Sequence, residues 1–395
     1  MIRQHTEAAM TPTQTNRPLR RRTVTAFLIT RLHSALERST YCTSPPRSSS
    51  RSVASRRPSP ESSPRVTVSL VTRLRAGFLI DPLDTLIVGH DSSLAFMLEC
   101  HRRGHEIHCF EQKDLEARNG AVSASAKQVE VKRVKGDHYR VVSESALVLA
   151  SLDVIFLRKD PPVDAEYWHA TQLVELARGP LLVNDPAGLR DANEKLYALH
   201  FPDLMPRTLV TRDLAHLRAL LDELGGEMII KPIDGFAGRG VFHLRKDDRN
   251  VNSLLELATA GGRAAIVAQE YLPASREGDK RIILLDGRPL GAMMRVPQAN
   301  DVRGNLAAGA RSQKSSLTAR DEEICRRLAP DLRRRGLYFV GLDVIGGYLT
   351  EVNVTSPTGI EEINALDGAS IEREVIDFVE RTVAERRSAG RSASP

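Results

Sequence analysis

The richest run of oxygen donors in this chain is Gly341-Leu342-Asp343-Val344-Ile345-Gly346-Gly347-Tyr348-Leu349-Thr350-Glu351-Val352-Asn353. Its Gly346-Gly347 pair predicts a tight hairpin, because such turns need positive φ at both central residues. Asp343 then lies opposite Glu351, and the two-residue period puts Glu351 and Asn353 on one face. Two carboxylates and an amide carbonyl on one face suit Mg²⁺ that also holds phosphates. An edge hairpin with a solvated acidic face accounts for the same residues about equally well. The alternating apolar neighbours favour a partly buried site, where unpaired carboxylates are costly.

Three further segments could serve a nucleotide. In Ile229-Ile230-Lys231-Pro232-Ile233-Asp234-Gly235-Phe236-Ala237-Gly238-Arg239-Gly240, a lysine at a strand end precedes a loop holding Gly235, Gly238 and Gly240. Backbone N–H groups of such a loop approach phosphate oxygens closely while the lysine supplies charge, although an ordinary hairpin turn has a similar composition. Ala268-Gln269-Glu270-Tyr271-Leu272-Pro273 reads as a strand leaving toward an interdomain cleft, or simply as an amphipathic edge strand. Residues 297–316 read as a long polar loop, the kind that forms lids, with Arg295, Arg303 and Arg311 to place on phosphate or carboxylate.

Seven motifs in order resemble the bacterial glutathione synthetases: Asp91-Ser92-Ser93, Arg158-Lys159-Asp160-Pro161-Pro162, Asn193-Glu194-Lys195, Lys231-Pro232-Ile233-Asp234-Gly235, Gly278-Asp279-Lys280-Arg281, Arg303-Gly304-Asn305-Leu306-Ala307-Ala308-Gly309 and Glu351-Val352-Asn353-Val354-Thr355-Ser356-Pro357-Thr358. They cover roughly residues 75–385. The resemblance implies an ATP-dependent ligase that joins glycine to γ-glutamylcysteine through an acyl phosphate. It implies that Lys195 and Lys231 hold the ATP phosphates beside Gly235, Gly238 and Gly240. Gln269, Glu270, Tyr271 and Leu272 would line the adenine pocket, Asp279 would reach the ribose, and Asp343, Glu351 and Asn353 would carry Mg²⁺ or Mn²⁺. Arg281, Arg295 and Lys231 would act on the reacting carboxylate and phosphoryl group. Ala237 and Ala310 stand where the family often has glycine, and Gln298-Ala299-Asn300 lacks another. The rivals are another ATP-grasp carboxylate–amine ligase, such as a glutamate ligase, and a non-catalytic nucleotide-binding module.

The elements that must position these residues follow from pattern. Ala76–Ile80, Glu106–Phe110, Asp153–Leu157 and Leu181–Val183 read as strands alternating with helices at 92–103 and 165–177. That rhythm predicts an α/β, doubly wound parallel sheet, and the apolar run Ala146–Leu157 reads as a buried strand. After Asn193 the pattern changes to hairpins: 228–231 with 240–244, 281–285 with 290–296, and 338–345 with 348–354. A helix over 370–386 closes the chain. The reading is an N-terminal pre-ATP-grasp domain (75–191) followed by a two-lobed α+β ATP-grasp fold (192–277 and 278–386), with a disordered extension (1–74) and tail (387–395).

Charge is unevenly spread. Residues 1–75 hold 14 Arg and 3 Glu, a balance of +11, so the net +6 leaves −5 for the remainder. A mildly acidic body argues against nucleic-acid binding. The Arg- and Ser-rich extension reads first as a stretch outside the working protein, with translation starting near Val71, then as a transit peptide, and last as a nucleic-acid arm. No apolar run has the length of a membrane span, and four scattered cysteines suit a reducing compartment, so a cytoplasmic, membrane-free homo-oligomer is expected. Cys100, His101, His105, His108 and Cys109 resemble a zinc box, but a helix end and a strand need not bring them together, and surface histidines are the simpler account.

Overall fold

The computed structural model describes residues 73–299, 303–306 and 309–392. Expectations about residues 1–72 and 393–395 lie outside the described residues.

The first sheet is built from β1 (Arg75–Leu79), β2 (Glu106–Phe110), β3 (Leu115–Arg118), β4 (Ala121–Val131), β5 (Tyr139–Val148), β6 (Val154–Leu157) and β7 (Leu181–Val183). Its order is β3-β4-β2-β1-β6-β7, with β5 also paired to β4. Strands β2, β1, β6 and β7 are parallel. Between them run α1 (Ser92–Arg102) and α2 (Ala165–Glu175). Alternation along the strands explains why helices cover both faces: Ala76 and Phe78 pack with Phe96 and Met97 of α1, while Leu79 and Ile155 pack with Ala170 and Val174 of α2. Asp91 starts α1 by accepting bonds from the amides of Ser93 (2.7 Å) and Leu94 (3.0 Å).

Sequence reading missed β3, β4 and β5, which extend this parallel core with antiparallel pairs. The valines of these strands are interleaved with Ser, Ala and Glu, and β5 is exposed over most of its length, so no continuous apolar run spans them. The run Ala146–Leu157 is not one strand. Val148 ends β5 at 52% exposure, a short turn covers Leu149–Ser151, and only Val154–Leu157 forms β6. Asp153 sets that restart, since its carboxylate accepts the Arg75 amide at 2.9 Å.

After α3 (Pro186–Asp191), a second sheet holds β8 (Thr208–Thr211), β9 (Glu227–Pro232), β10 (Phe242–Arg245) and β11 (Ile266–Glu270), in the order β10-β9-β11-β8 and antiparallel throughout. Met228 and Ile230 pack on α4 (Leu214–Glu223) and α5 (Val251–Ala258), which turns Ile229 and Lys231 to the opposite face.

The third sheet runs β14-β13-β12-β15-β16, from β12 (Asp279–Leu285), β13 (Arg288–Val296), β14 (Arg311–Lys314), β15 (Phe339–Ile345) and β16 (Tyr348–Asn353). On one face Ile282, Leu284 and Leu342 pack with α6 (Ala319–Arg334). On the other, Ile283, Leu285 and Phe339 meet α7 (Ile360–Asp367) and α8 (Ile371–Ser392). Both clusters continue into the first sheet, where Phe96 lies edge-on to Phe339 at 5.1 Å. Helix α8 continues past Arg386, where sequence reading ended it.

One clasp gives a pH prediction. Burial alone would raise the carboxyl of Asp331 on α6, but bonds from Tyr197, Arg335 and Arg334 push it down to about 2. A carboxyl whose folded pKa lies below its unfolded value contributes stability above about pH 4, and that contribution disappears as pH falls toward 2. Melting curves of Asp331→Asn should therefore lose less between about pH 4 and 2 than those of the parent. Parallel declines in both proteins would remove the clasp from the account.

Candidate active site

The Gly346-Gly347 turn adopts φ of 57° and 83° and brings Asp343 into register with Glu351 and Gly341 with Asn353. The hairpin expected from sequence is therefore present. What surrounds it is more basic than expected. Arg281 of β12 stands across from Asp343 and donates Nε to Oδ1 at 2.6 Å and Nη2 to Oδ2 at 3.2 Å. Its Nη1 reaches the Thr358 carbonyl at 2.9 Å. Arg295 of β13 lies 3.0 Å from Asp343 Oδ2 and also bonds Asp279. Burial would raise the Asp343 carboxyl, yet the two guanidinium groups hold it far below the usual range. Asp279 is pushed up to about 6 by burial, with Arg295 opposing. Arg295 Nε and Asp279 Oδ1 have no hydrogen-bond partner among the described residues.

Glu351 is the meeting point of two lysines. The ammonium of Lys195 is 3.6 Å from Oε1 and that of Lys231 is 3.7 Å away. Both are too long for hydrogen bonds, so they are Coulombic pairs that leave Glu351 lone pairs open. Both lysines are buried, and burial lowers the Lys231 pKa while Glu351 opposes that shift. Lys195 also bonds the Gly235 carbonyl.

These residues floor a cleft with about 840 Å³ of space, open solvent at its mouth included. Its inner end is lined by Ile229, Val241, Leu272 and Ile345, with Gln269, Glu270 and Tyr271 beside them. Gln269 is buried and donates to the Thr208 hydroxyl at 2.9 Å. The Glu270 carboxylate turns away to Arg207, at 3.3 Å from Nε. Tyr271 stacks on His243, ring centroids 4.0 Å apart. Asp279 lines the cavity with its carboxylate already engaged by Arg295. Gly235, Ala237 and Gly238 reach the cavity, but Gly240 does not line it and serves the turn. A Cβ there would lie 2.7 Å from Pro232 Cγ. Ala237 sits at φ 52°, a backbone region that glycine enters without strain.

The stretch expected to be a structureless lid is partly anchored, since Arg311–Lys314 form β14 against β13. Arg303, Gly304 and Asn305 do cover the cavity, and a Cβ at Gly238 would lie 2.6 Å from Asn305 Oδ1. Arg311 is exposed on β14.

A second cleft of about 1,070 Å³ adjoins the first, and Glu351, Gly235, Phe236, Ala237 and Asn305 line both. Its walls include Arg281, Arg295, Asn353, Thr355, Ser356 and Thr358.

The chain matches two family descriptions: "Prokaryotic glutathione synthetase, N-terminal domain" over residues 74–190, and "Prokaryotic glutathione synthetase, ATP-grasp domain" over residues 194–368. It is 47% identical over 311 residues to a glutathione synthetase of Gloeobacter violaceus, covering 76% of this chain and 95% of that one. The chain belongs to the prokaryotic glutathione synthetase family. A Salmonella typhimurium glutathione synthetase is 43% identical, covering 79% of this chain and 99% of its own. Among solved structures, D-cycloserine synthetase DcsG aligns with TM-score 0.54 at 15% identity (79% and 99% covered). The ATP-grasp ligase PsnB, complexed with minimal precursor, Mg and ADP, aligns with TM-score 0.51 at 17% (78% and 98%). These last two establish the ATP-grasp fold. An ATP-grasp ligase of this family works with ATP and a divalent metal.

Two residues of the family motifs carry more than sequence reading assigned. Glu194 accepts bonds on Oε1 from the amides of Val354 (3.1 Å) and Thr355 (3.2 Å) and from the Thr355 hydroxyl (2.8 Å), and burial pushes its carboxyl up. Arg158, buried between the Phe96 and Phe339 rings, donates to Ser93 Oγ (3.1 Å) and to the Pro357 carbonyl (2.9 Å). Arg158 ties Pro357 to the end of β6, and Glu194 ties Val354 and Thr355 to the segment after α3. Their one sequence signal was a charged residue at the mouth of a strand or helix, which does not reveal its partner. The histidine box dissolves. His101 is exposed, whereas His105 and His108 are buried and bond Glu380 (2.9 Å) and Glu106 (3.4 Å), so two of the three are not surface residues. Strand β2 and the end of α1 direct them to separate partners.

Proposed function

We propose that this protein condenses γ-glutamylcysteine with glycine at the expense of ATP, releasing ADP and phosphate. The observation that carries this reading is the junction of the two clefts at Glu351, with lysines on the nucleotide side and arginines on the peptide side. ATP would lie along the first cavity, its adenine against Gln269–Leu272 and its ribose toward Asp279. Lys195, Lys231 and the Gly235–Gly238 loop would take the phosphates. The cysteinyl carboxylate would enter the second cleft beside Arg281 and Arg295, which disperse charge as the γ-phosphoryl group transfers to it. Glycine's amine then attacks the acyl carbon, the C–O bond to phosphate breaks, and the amine proton leaves with phosphate. Arg303–Asn305 limit water that would hydrolyse the acyl phosphate.

The donor chemistry fits a divalent cation. Glu351 keeps free lone pairs, Asp343 stands opposite, and the Asn353 amide N–H₂ already donates to the Gly341 carbonyl (3.3 Å), which leaves its oxygen as the donor. Mg²⁺ held by one or two carboxylates commonly completes its shell with substrate phosphate and water. The ion would neutralise phosphoryl oxygens, and Mn²⁺ has the same ligand preference. We further read the protein as cytoplasmic, binding neither membrane nor nucleic acid; no described helix is long and apolar enough to cross a bilayer. The exposed valines 141, 142 and 148 of the edge strand β5 favour a homo-oligomer.

Phosphate release measured against a panel of peptide acids and amines tests the substrate choice. Turnover should require γ-glutamylcysteine and glycine together. Turnover with glutamate and a different peptide acid, but not with this pair, would transfer the site to a glutamate ligase.

A further inference from the structure

The second cleft has two chemically different ends. Arg281, Arg295, Glu351 and Asn353 form the end used by phosphoryl transfer. The other wall carries His90 and Asp160, which no step above employs. His90 follows β1 and Asp160 follows β6, and these strands are parallel neighbours. Both residues thus stand at the carboxyl ends of adjacent strands, where open α/β sheets hold ligands.

His90 Nδ1 is bonded to Glu362 Oε1 on α7, a contact that favours the imidazolium and leaves Nε2–H as the outward donor. Among the described residues, Nε2 has no protein partner. Glu362 Oε2 is buried and also unpartnered. Asp160 is exposed to the cleft mouth, its amide fixed by Asp81 Oδ2 at 2.8 Å. Both side chains line the same cleft. Lys159 donates to the Asp160 carbonyl at 2.7 Å, and burial raises the Asp160 carboxyl while Ser356 and Arg158 oppose that shift.

We propose that His90 and Asp160 recognise the γ-glutamyl head of the peptide substrate, His90 taking its α-carboxylate and Asp160 its α-ammonium. This rests on the substrate reading above. Glycine is the other zwitterion, but its ammonium must lose a proton and become an amide at the reacting carbon. Only the γ-glutamyl head keeps both charges throughout, and it lies at the opposite end of the peptide from the activated carboxylate. Glu362 is a positioning residue that orients the imidazole.

The test pairs variants with truncated substrates. The two analogues are 4-aminobutanoyl-cysteine, which lacks the α-carboxylate, and glutaryl-cysteine, which lacks the α-amine. The unmodified enzyme should prefer γ-glutamylcysteine over each by about 10- to 100-fold in kcat/KM, the value of one charge-assisted hydrogen bond. In His90→Ala the preference over 4-aminobutanoyl-cysteine should collapse to within about threefold, while that over glutaryl-cysteine persists. Asp160→Asn should show the converse, and His90→Lys, which restores a cation, should recover discrimination. KM for ATP and for glycine should stay unchanged in all three. Undiminished discrimination in both variants, or a loss confined to KM for glycine, overturns the assignment while leaving the ligase reading intact. An unmodified enzyme that makes no tripeptide from γ-glutamylcysteine and glycine overturns the substrate reading and the head site with it.

Discussion

Glu351→Gln is expected to lower kcat by about 10²- to 10³-fold while the protein stays folded, the range seen when one preorganised electrostatic contact is removed. Glutamine keeps the shape of the side chain and removes its charge. Lys195 and Lys231, now 3.6 and 3.7 Å from a carboxylate, would face a neutral amide. Burial already depresses Lys231, and Glu351 is the chief group opposing that shift, so the substitution lowers the charge presented to phosphate as well. The loss should appear in single-turnover product formation, with a thermal midpoint close to that of the parent. A variant that makes product at the parental rate would show that the lysines, arginines and remaining oxygen donors suffice without this carboxylate, and the proposed centre would have to move.

Arg281→Met should be the most destabilising single change at the site. It leaves Asp343, 3% exposed, with Arg295 alone, and Arg295 is shared with Asp279. Removing one partner of a buried ion pair costs about 3–5 kcal/mol, because the desolvated charge left behind is under-compensated, here by an Arg295 already divided between two carboxylates. It also releases the Thr358 carbonyl, which Arg281 holds at 2.9 Å. Urea denaturation followed by circular dichroism should record that loss. Adding Asp343→Leu should restore most of the stability, since apolar replacement of a whole buried pair is often neutral. Activity should not return. A loss below about 1 kcal/mol in the single variant would place this pair among ion pairs that water screens.

Much of the site was legible because local rules dictate it. Consecutive glycines enforce the turn that sets Asp343 against Glu351, and strand alternation puts Lys231 on the face opposite Met228 and Ile230. The Asp91 cap, the parallel core β2-β1-β6-β7 and the hairpins of the last two sheets follow from equally local signals. Glu270 lines the cavity, whereas Gly240 does not. Both sit in the right motif, yet one glycine serves only the turn and one carboxylate faces Arg207. A motif places a residue near a site without saying which way its polar atoms point.

What the chain determined unaided was its periodicities, its turns and the kinds of donor clustered late in the sequence, because each depends on neighbours a few residues away. Only the tertiary structure decided that Asp343 is clamped by two arginines, that two lysines separated by β8 and α4 share one carboxylate, and that Arg158 and Glu194 fasten the 354–357 segment. It also brought His90 and Asp160 to one wall. The physical reason is range: hydrogen-bond geometry along a strand is fixed by adjacent backbone. Charge pairing across a cleft depends on how three sheets pack, and no local pattern encodes that distance.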